Sequence, residues 1–350
     1  MKKIIYLSLI LGIVFASCQK ELDFTEGDKA TLDVSKIPIE HQQIINQLGL
    51  DIATLVDKGD DYQLEGDIML SKEEMGNYVY RSDSTGLKQA YVGGKLINFT
   101  KAQNITIRID DASVPKSGIG SDWRQAVQRA INEWNNINGT CLNFIYTTAS
   151  TADITVKRTA SNDNAVAWTW LPSSTVPAKE IFVNSNYDNY QFKANTLIHE
   201  MGHSIGLLHA HEGAASQGGV IVPGTPEIDN ASIMSYNRDR SLLPGFTNND
   251  LVAVTILYPA NPPYLKVEKP SLWKPNYKVT LVNYQAGGFS ANATWSVTGG
   301  GFASGDPNSL INKLPKNSIE VVKSTGLGAV LPFTVTAYQN GRAICLITIN

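Results

Sequence analysis

The sequence lacks any marked excess of charge of one sign. Its 29 lysines and arginines stand against 32 aspartates and glutamates, which gives a net charge of −3 over 350 residues. Because there is no basic excess to meet a phosphate backbone, we expect no nucleic-acid partner. Internal repeats and long low-complexity tracts are also absent, and 43% hydrophobic with 17% charged residues is typical of a globular protein. The length favours two or three domains over one.

Long apolar runs are scarce, and the one at the N-terminus is short. It extends from Ile4 to Ala16 behind two lysines, which is too short to span a bilayer, so it predicts an export signal and not a membrane helix. Small residues followed by Cys18 resemble the lipobox of bacterial lipoproteins. That resemblance implies acylation of Cys18 and a lipid-anchored protein of the bacterial outer membrane, exposed at the cell surface or released. A plain secretory peptide cleaved nearby is the alternative.

Cysteine is rare, with three residues in the whole chain. If Cys18 carries lipid, Cys141 and Cys345 remain, and they fall in different predicted domains. An oxidising compartment would permit a disulfide between them. Isolated cysteines in strands are more often small buried hydrophobic residues, so we expect no bridge.

Histidine is also rare, yet three of the five histidines fall in the eleven-residue run HEMGHSIGLLH, residues 199–209. On a helix, His199 and His203 lie one turn apart on the same face, so both imidazoles can bind one metal ion. Gly206 would allow the chain to leave the helix with a positive φ and bring His209 to the same ion. Three protein ligands leave one coordination position open, which is typical of catalytic zinc. Glu200 is then placed to hold and deprotonate an attacking water.

A second segment, Ser232-Ile-Met-Ser-Tyr236, strengthens the pattern. The HExxHxxGxxH motif followed by a methionine in a tight turn resembles the metzincin clan of zinc endopeptidases. The resemblance implies that Met234 forms an apolar floor beneath the metal. It also implies that Tyr236 acts as the switchable tyrosine of astacins and serralysins, which stabilises the oxyanion. The alternative for Tyr236 is an ordinary aromatic residue packed beside a turn.

Taken as a whole, the chain most resembles the bacterial HEIGH-type metallopeptidases, whose motif here reads HEMGH. The resemblance implies a Zn²⁺ cofactor, a protein or peptide as substrate, and Glu200 as the group that moves the proton from water to the leaving amine. We expect the substrate to extend along a candidate edge strand at 165–171. Astacins carry a glutamate directly after the third histidine, but here Ala210 stands there, so an astacin-like activation pocket is not expected. The oligomeric state is left open.

A segment before the catalytic region, Gln63-Leu-Glu-Gly-Asp-Ile68, resembles the latency motif of astacin pro-segments. By this resemblance the Asp67 carboxylate would bind zinc and displace the catalytic water, although Leu64 stands where the family has phenylalanine. The alternative is that Asp67 belongs to an Asp-Gly-type turn between two strands.

These features predict an α+β protein with a metzincin-type catalytic domain, a mixed sheet, a zinc-binding helix and a small C-terminal immunoglobulin-like β-sandwich. The expected divisions are a signal peptide at 1–17, a tether at 18–35, a pro-segment-like region at 36–103, the peptidase domain at 104–260 and the sandwich at 264–350. A surface adhesin, or a protein- or glycan-binding lipoprotein with a vestigial zinc domain, is the rival function. Against it, every catalytic position of the motif is filled.

Overall fold

A computed structural model describes most of the chain between residues 34 and 349. The described ranges are 34–78, 96–210, 222, 224–226, 228–235, 245–269, 276–282, 294–298, 300–302, 318–323, 333–339 and 342–349. Cys18, Tyr236 and the expected export signal therefore lie outside the described residues, and what we expect of them stays a prediction.

Six α-helices and eight strands lie between residues 39 and 257 of the described chain. The helices are α1 Ile39–Gln47, α2 Met75–Tyr78, α3 Phe99–Ala102, α4 Trp123–Asn135, α5 Lys193–Ser204 and α6 Asn248–Leu257. The strands are β1 Val56–Asp57, β2 Asp61–Leu64, β3 Ile68–Ser71, β4 Ile105–Ile109, β5 Phe144–Tyr146, β6 Ile154–Thr159, β7 Ala167–Trp170 and β8 Glu180–Asn184.

These eight strands form one mixed sheet in the order β1-β2-β3-β7-β8-β6-β4-β5. The pairs β3/β7, β8/β6, β6/β4 and β4/β5 are parallel, and the other three pairs are antiparallel. The mixed α+β architecture expected from the sequence is thus confirmed. The expectation of an edge strand at 165–171 is wrong. In the full-length chain, β7 pairs with β8 on one side and with β3 on the other.

Two hydrophobic cores hold these elements. The first core is built around α4, whose apolar residues recur every three or four positions and bury Trp123, Val127 and Trp134 against the sheet and α5. The second core lies under α1 and the β2–β3 hairpin. Its buried members are Ile37, Ile44, Ile45, Leu48, Leu50, Leu55, Tyr62, Leu64, Ile68, Leu70, Met75, Tyr78, Leu171 and Leu208.

The C-terminal part is all-β in the residues that the structure describes. Its strands are β9 Tyr264–Glu268, β10 Tyr277–Val282, β11 Thr294–Thr298, β12 Gly300–Phe302, β13 Ser318–Lys323, β14 Phe333–Gln339 and β15 Arg342–Ile349. They form a four-stranded sheet, β12-β13-β10-β9, and a three-stranded sheet, β11-β14-β15, with every pair antiparallel. Two antiparallel sheets fit the predicted all-β region, and the immunoglobulin-like type stays a prediction.

In the described part of the chain, no helix has both the length and the apolar character needed to cross a membrane. Cys141 is buried, as expected. The side chain of Cys345 lies outside the description, so the expected lack of a bridge is still a prediction.

Candidate metal centre

Helix α5 supplies the first two candidate ligands. His199 and His203 lie one helical turn apart, and their Nε2 atoms are 2.9 Å from each other. Both imidazoles are fully buried, and Glu200 between them is 1% exposed. The spacing that predicted a shared metal therefore also gives two imidazoles that meet at one buried point.

The chain leaves α5 through a tight turn at Gly206, whose φ is 105°. Leu207 donates its backbone N–H to the Gly202 carbonyl at 3.0 Å, which closes the last turn of the helix. The turn brings His209 back so that its Nε2 lies 3.1 Å from that of His199 and 3.2 Å from that of His203. The predicted role of Gly206, a positive φ at the helix end, is confirmed.

Each of the three imidazoles is oriented through its Nδ1 atom. Carbonyl and carboxylate oxygens can only accept, so each Nδ1 carries the proton that is donated. His199 donates to the Ile233 carbonyl at 2.7 Å and His203 to the Leu207 carbonyl at 2.7 Å. His209 donates to Glu65 Oε2, also at 2.7 Å. This tautomer leaves each Nε2 lone pair directed at the common point, as metal-binding imidazoles require.

The Asp67 carboxylate completes the cluster from the other side. It lies in the turn that joins β2 to β3, so the expectation of a turn between two strands is met. Its oxygens are nevertheless 3.1 Å from His209 Nε2 and 3.4 Å from His199 Nε2. One atom from each of Asp67, His199, His203 and His209 lies within 4.8 Å of every other. The turn is thus confirmed, and the latency role of Asp67 stays a prediction.

These four donors fit zinc. Three imidazole nitrogens and one carboxylate oxygen are a donor set that zinc binds tetrahedrally. With Zn–N bonds of 2.0–2.1 Å, tetrahedral geometry puts neighbouring nitrogens about 3.3 Å apart. The Nε2 separations of 2.9–3.2 Å are close to that value. Without a cation between them, lone pairs would face each other in a buried site, so the arrangement favours a shared positive ion.

The buried charges of the cluster shift the pKa values of its members in different directions. When no cation is bound, protons on Nε2 atoms take its place. Burial alone would raise the pKa of Asp67, but the charge on a protonated His209 and hydrogen bonds from His199 and His209 then hold this pKa well below its usual value. Burial and the neighbouring imidazoles lower the pKa of His203. Burial would also lower the pKa of His209, yet Asp67 and Glu65 outweigh it and raise the pKa to about 9. The carboxylates thus favour a positive charge at this point.

The turn that carries Met234 passes directly beneath α5. Met234 is 5% exposed, and a Cβ atom added to Gly202 would lie 2.5 Å from its sulfur. Only glycine therefore allows the methionine to approach the helix this closely, which explains the residue between Met201 and His203. That Met234 forms a floor beneath the metal, as the metzincin resemblance implied, stays a prediction.

Two carboxylates, Asp250 and Glu65, support the histidines of the cluster, and the sequence did not predict that they would. Asp250 forms the N-terminal capping box of α6 with Thr247, and it also accepts from Ile233 N at 3.0 Å and from the Ser232 hydroxyl. It therefore fixes the turn whose carbonyl orients His199. Glu65, the partner of His209, lies 144 residues away along the chain. Its only sequence signal is its position two residues before Asp67, on the other side of a glycine.

Beside the cluster lies a partly open pocket that is mainly apolar. Its lining includes Leu208 and Ala210, on either side of His209, together with Met234, Val254 and Leu257. It lies between the Met234 turn and α6.

Comparison with known proteins gives the family. A family profile described as dual-action HEIGH metallo-peptidase matches residues 62–258, which is more than half of the chain. The chain belongs to this family. It is a HEIGH-type metallopeptidase, as the motif predicted. The match begins at β2 and so includes the hairpin with Glu65 and Asp67.

Two solved structures of myroilysin also match. One is 18% identical, with a TM-score of 0.33, and the match covers 53% of this chain and 87% of that one. The other is 16% identical, with a TM-score of 0.31, and the match covers 55% and 98%. No protein with curated annotation matches this chain.

Proposed function

We propose that this metallopeptidase is a zinc-dependent endopeptidase made as a latent, lipid-anchored precursor. One observation carries the metal assignment: three buried Nε2 atoms meet within 2.9–3.2 Å, each with its Nδ1 proton already donated elsewhere. An open position remains once the Asp67 carboxylate is withdrawn, because the three histidines then supply only three ligands.

Zinc bound to the three histidines would supply a Lewis acid that polarises the scissile carbonyl and lowers the pKa of water. Glu200 is the general base: it takes the proton of the attacking water and delivers it to the leaving amine. Burial of Glu200 keeps bulk water away from that transfer. Tyr236, two residues beyond Met234, is proposed to donate a hydrogen bond to the oxyanion, a contribution worth about 3–4 kcal/mol.

The substrate is proposed to be a protein or peptide held as an extended strand along β7. Main-chain hydrogen bonds to a strand provide affinity for any sequence, and side-chain pockets then provide the preference. Residues on both sides of the scissile bond would pair with β7, so cleavage inside a chain is favoured over removal of single terminal residues. The apolar pocket beside Met234 supports a preference for an apolar side chain next to that bond.

Latency is proposed because the hairpin occupies the substrate's place. Strand β3 already pairs with β7: the Asp67 carbonyl accepts from Thr169 N at 3.1 Å and the Met69 carbonyl from Leu171 N at 3.3 Å. The same hairpin carries the Asp67 carboxylate into the metal cluster. Strand edge and metal are thus covered together, so a peptide substrate could reach neither until the hairpin leaves.

The experiment that tests the proposed activity combines metal analysis with cleavage of a quenched peptide. In an Asp67→Ala background, Glu200→Ala should keep about one zinc per chain and lose about 10²–10⁴-fold of cleavage, since Glu200 is not a ligand. His203→Ala should lose both zinc and cleavage. Equal zinc in His203→Ala and its parent would contradict the metal assignment. Cleavage that survives Glu200→Ala would contradict the mechanism, whereas no cleavage by the Asp67→Ala parent would favour a binding role.

The lipid anchor rests on Cys18, and it has its own test. Metabolic labelling with a fatty acid should mark the wild-type chain and not Cys18→Ser. Equal labelling of both would refute the anchor, and an unlabelled, freely secreted wild-type chain would favour the plain secretory peptide. We further propose that the two C-terminal sheets form an immunoglobulin-like sandwich, in a protein divided as the sequence predicts.

A further inference from the structure

Glu65 is the one carboxylate that orients a candidate metal ligand in the described residues. It is 3% exposed, and its two oxygens have separate donors. Oε2 accepts from His209 Nδ1 at 2.7 Å, while Oε1 accepts from the backbone N–H of Asp51 at 2.9 Å. A buried carboxylate is costly unless it is hydrogen-bonded, and here two donors offset that cost.

The backbone around Glu65 has an unusual conformation that makes this contact possible. Glu65 has a φ of 50°, a left-handed conformation that side-chain-bearing residues seldom adopt, and Gly66 follows with a φ of 85°. The Glu65 N–H donates to Thr54 Oγ1 at 2.8 Å, which anchors the turn to the segment before β1. In this turn both the Glu65 and the Asp67 carboxylates reach His209, one at each ring nitrogen.

The three histidines differ in where their partners come from. His199 and His203 donate to carbonyls of Ile233 and Leu207, both within the predicted peptidase domain. His209 instead donates to the hairpin that is proposed to be removed on activation. Partners of this kind fix the tautomer and orientation of a ligand, and their loss typically weakens metal binding about 10–100-fold.

We propose that Glu65 is a positioning residue for His209, so that the N-terminal hairpin strengthens metal binding in the latent protein as well as covering the site. The inference rests on the proposed zinc centre. It follows that release of the hairpin removes one metal-facing carboxylate and the orienting partner of one imidazole together. The latent chain therefore holds zinc more tightly than the activated one, and activation becomes sensitive to the free zinc concentration.

The test measures zinc dissociation constants of the full-length chain by competition with a chelator. Glu65→Gln keeps one oxygen, so it can serve His209 or Asp51 but not both, and the dissociation constant should rise about 10–100-fold. Glu73→Gln, an exposed acid at the end of the same hairpin, is the matched control and should leave it unchanged. Asp67 is intact in both, so both should stay latent at saturating zinc.

Two further variants separate orientation from folding. Thr54→Val removes the anchor of the turn but keeps the carboxylate, so its dissociation constant should change less than that of Glu65→Gln. Glu65→Asp keeps the charge on a shorter side chain, so the zinc dissociation constant should rise by an intermediate factor. This variant replaces Glu65→Gln in the comparison if Glu65→Gln folds poorly. Melting temperatures without metal report folding alone.

The outcomes distinguish the inference from the function on which it rests. Equal constants for wild type, Glu65→Gln and Glu65→Asp would overturn the positioning role while leaving the zinc enzyme standing. Equal weakening by Thr54→Val and Glu65→Gln would assign the effect to turn integrity and also overturn it. No zinc binding by the wild-type chain would instead overturn the metal centre itself.

Discussion

The segment around α5 and the β2–β3 hairpin meet at the same cluster, but they are held there by different cores. Around α5, Trp134 donates its indole N–H to the Ile198 carbonyl at 3.0 Å, and the helix lies in the first core. The hairpin places Leu64, Ile68 and Leu70 in the second core with α1. The first core therefore positions His199 and His203 on α5, while the second positions the two carboxylates that contact His209.

This difference supports the proposal that the hairpin can leave while α5 stays in place. The two cores meet near Leu208, which packs in the second core although its neighbour Leu207 packs in the first. Contacts of the second core can be lost while α5, the Gly206 turn and the Met234 turn keep their support. Substitutions in the two cores should thus separate stability from activity.

The largest expected effect comes from matched truncations in the two cores. Trp134→Ala should lower the free energy of unfolding by about 3–5 kcal/mol and Leu70→Ala by about 2–5 kcal/mol, because both side chains are fully buried. Only Leu70→Ala should raise peptide cleavage, since it loosens the hairpin, whereas Trp134→Ala loosens α5. Denaturant unfolding followed by circular dichroism, with cleavage of a quenched peptide, checks both. Increased cleavage in Trp134→Ala alone would reverse the comparison.

A smaller effect is expected at Gly202. An added methyl group meets the Met234 sulfur at 2.5 Å, so Gly202→Ala should cost about 1–3 kcal/mol of stability through displacement of the methionine. Gly76→Ala is a suitable control, because nothing lies within 4 Å of the Cβ it would add. Thermal unfolding with zinc bound is the measurement. If both variants melt at the wild-type temperature, the close contact between α5 and Met234 does not require glycine at position 202.

Features with a local cause could be predicted from the sequence. The run at 199–209 fixes its own geometry through helix periodicity and one glycine, and the structure shows the three imidazoles where the spacing put them. Local causes also define α4, through its apolar periodicity, and the start of α6, through the capping box of Thr247 and Asp250. In each case the interacting residues lie within about three turns of one helix.

What the sequence could not provide depends on contacts between distant segments. The pairing of β3 with β7 joins residues about 100 positions apart, and without it Ala167–Trp170 reads as an edge strand. Glu65 reaches His209 across 144 residues, and Asp250 reaches Ile233 across 17. No local pattern predicts these two hydrogen bonds, because each depends on how segments distant in the sequence pack together. Asp67 was found only through its resemblance to a latency motif.

The most direct test of the account compares the full-length chain with its Asp67→Ala variant on one quenched peptide, at saturating zinc. The account predicts that Asp67→Ala cleaves at least about tenfold faster without proteolytic trimming, the factor that 1.4 kcal/mol of lost contact represents. Its zinc content should stay near one per chain, because the three histidines are unchanged. Asp111→Ala, on an exposed acid that pairs with Arg124 inside the predicted peptidase domain, is the control. Unchanged or lower cleavage by Asp67→Ala, together with an inactive trimmed chain, would contradict the claim that this hairpin keeps a formed metal centre closed.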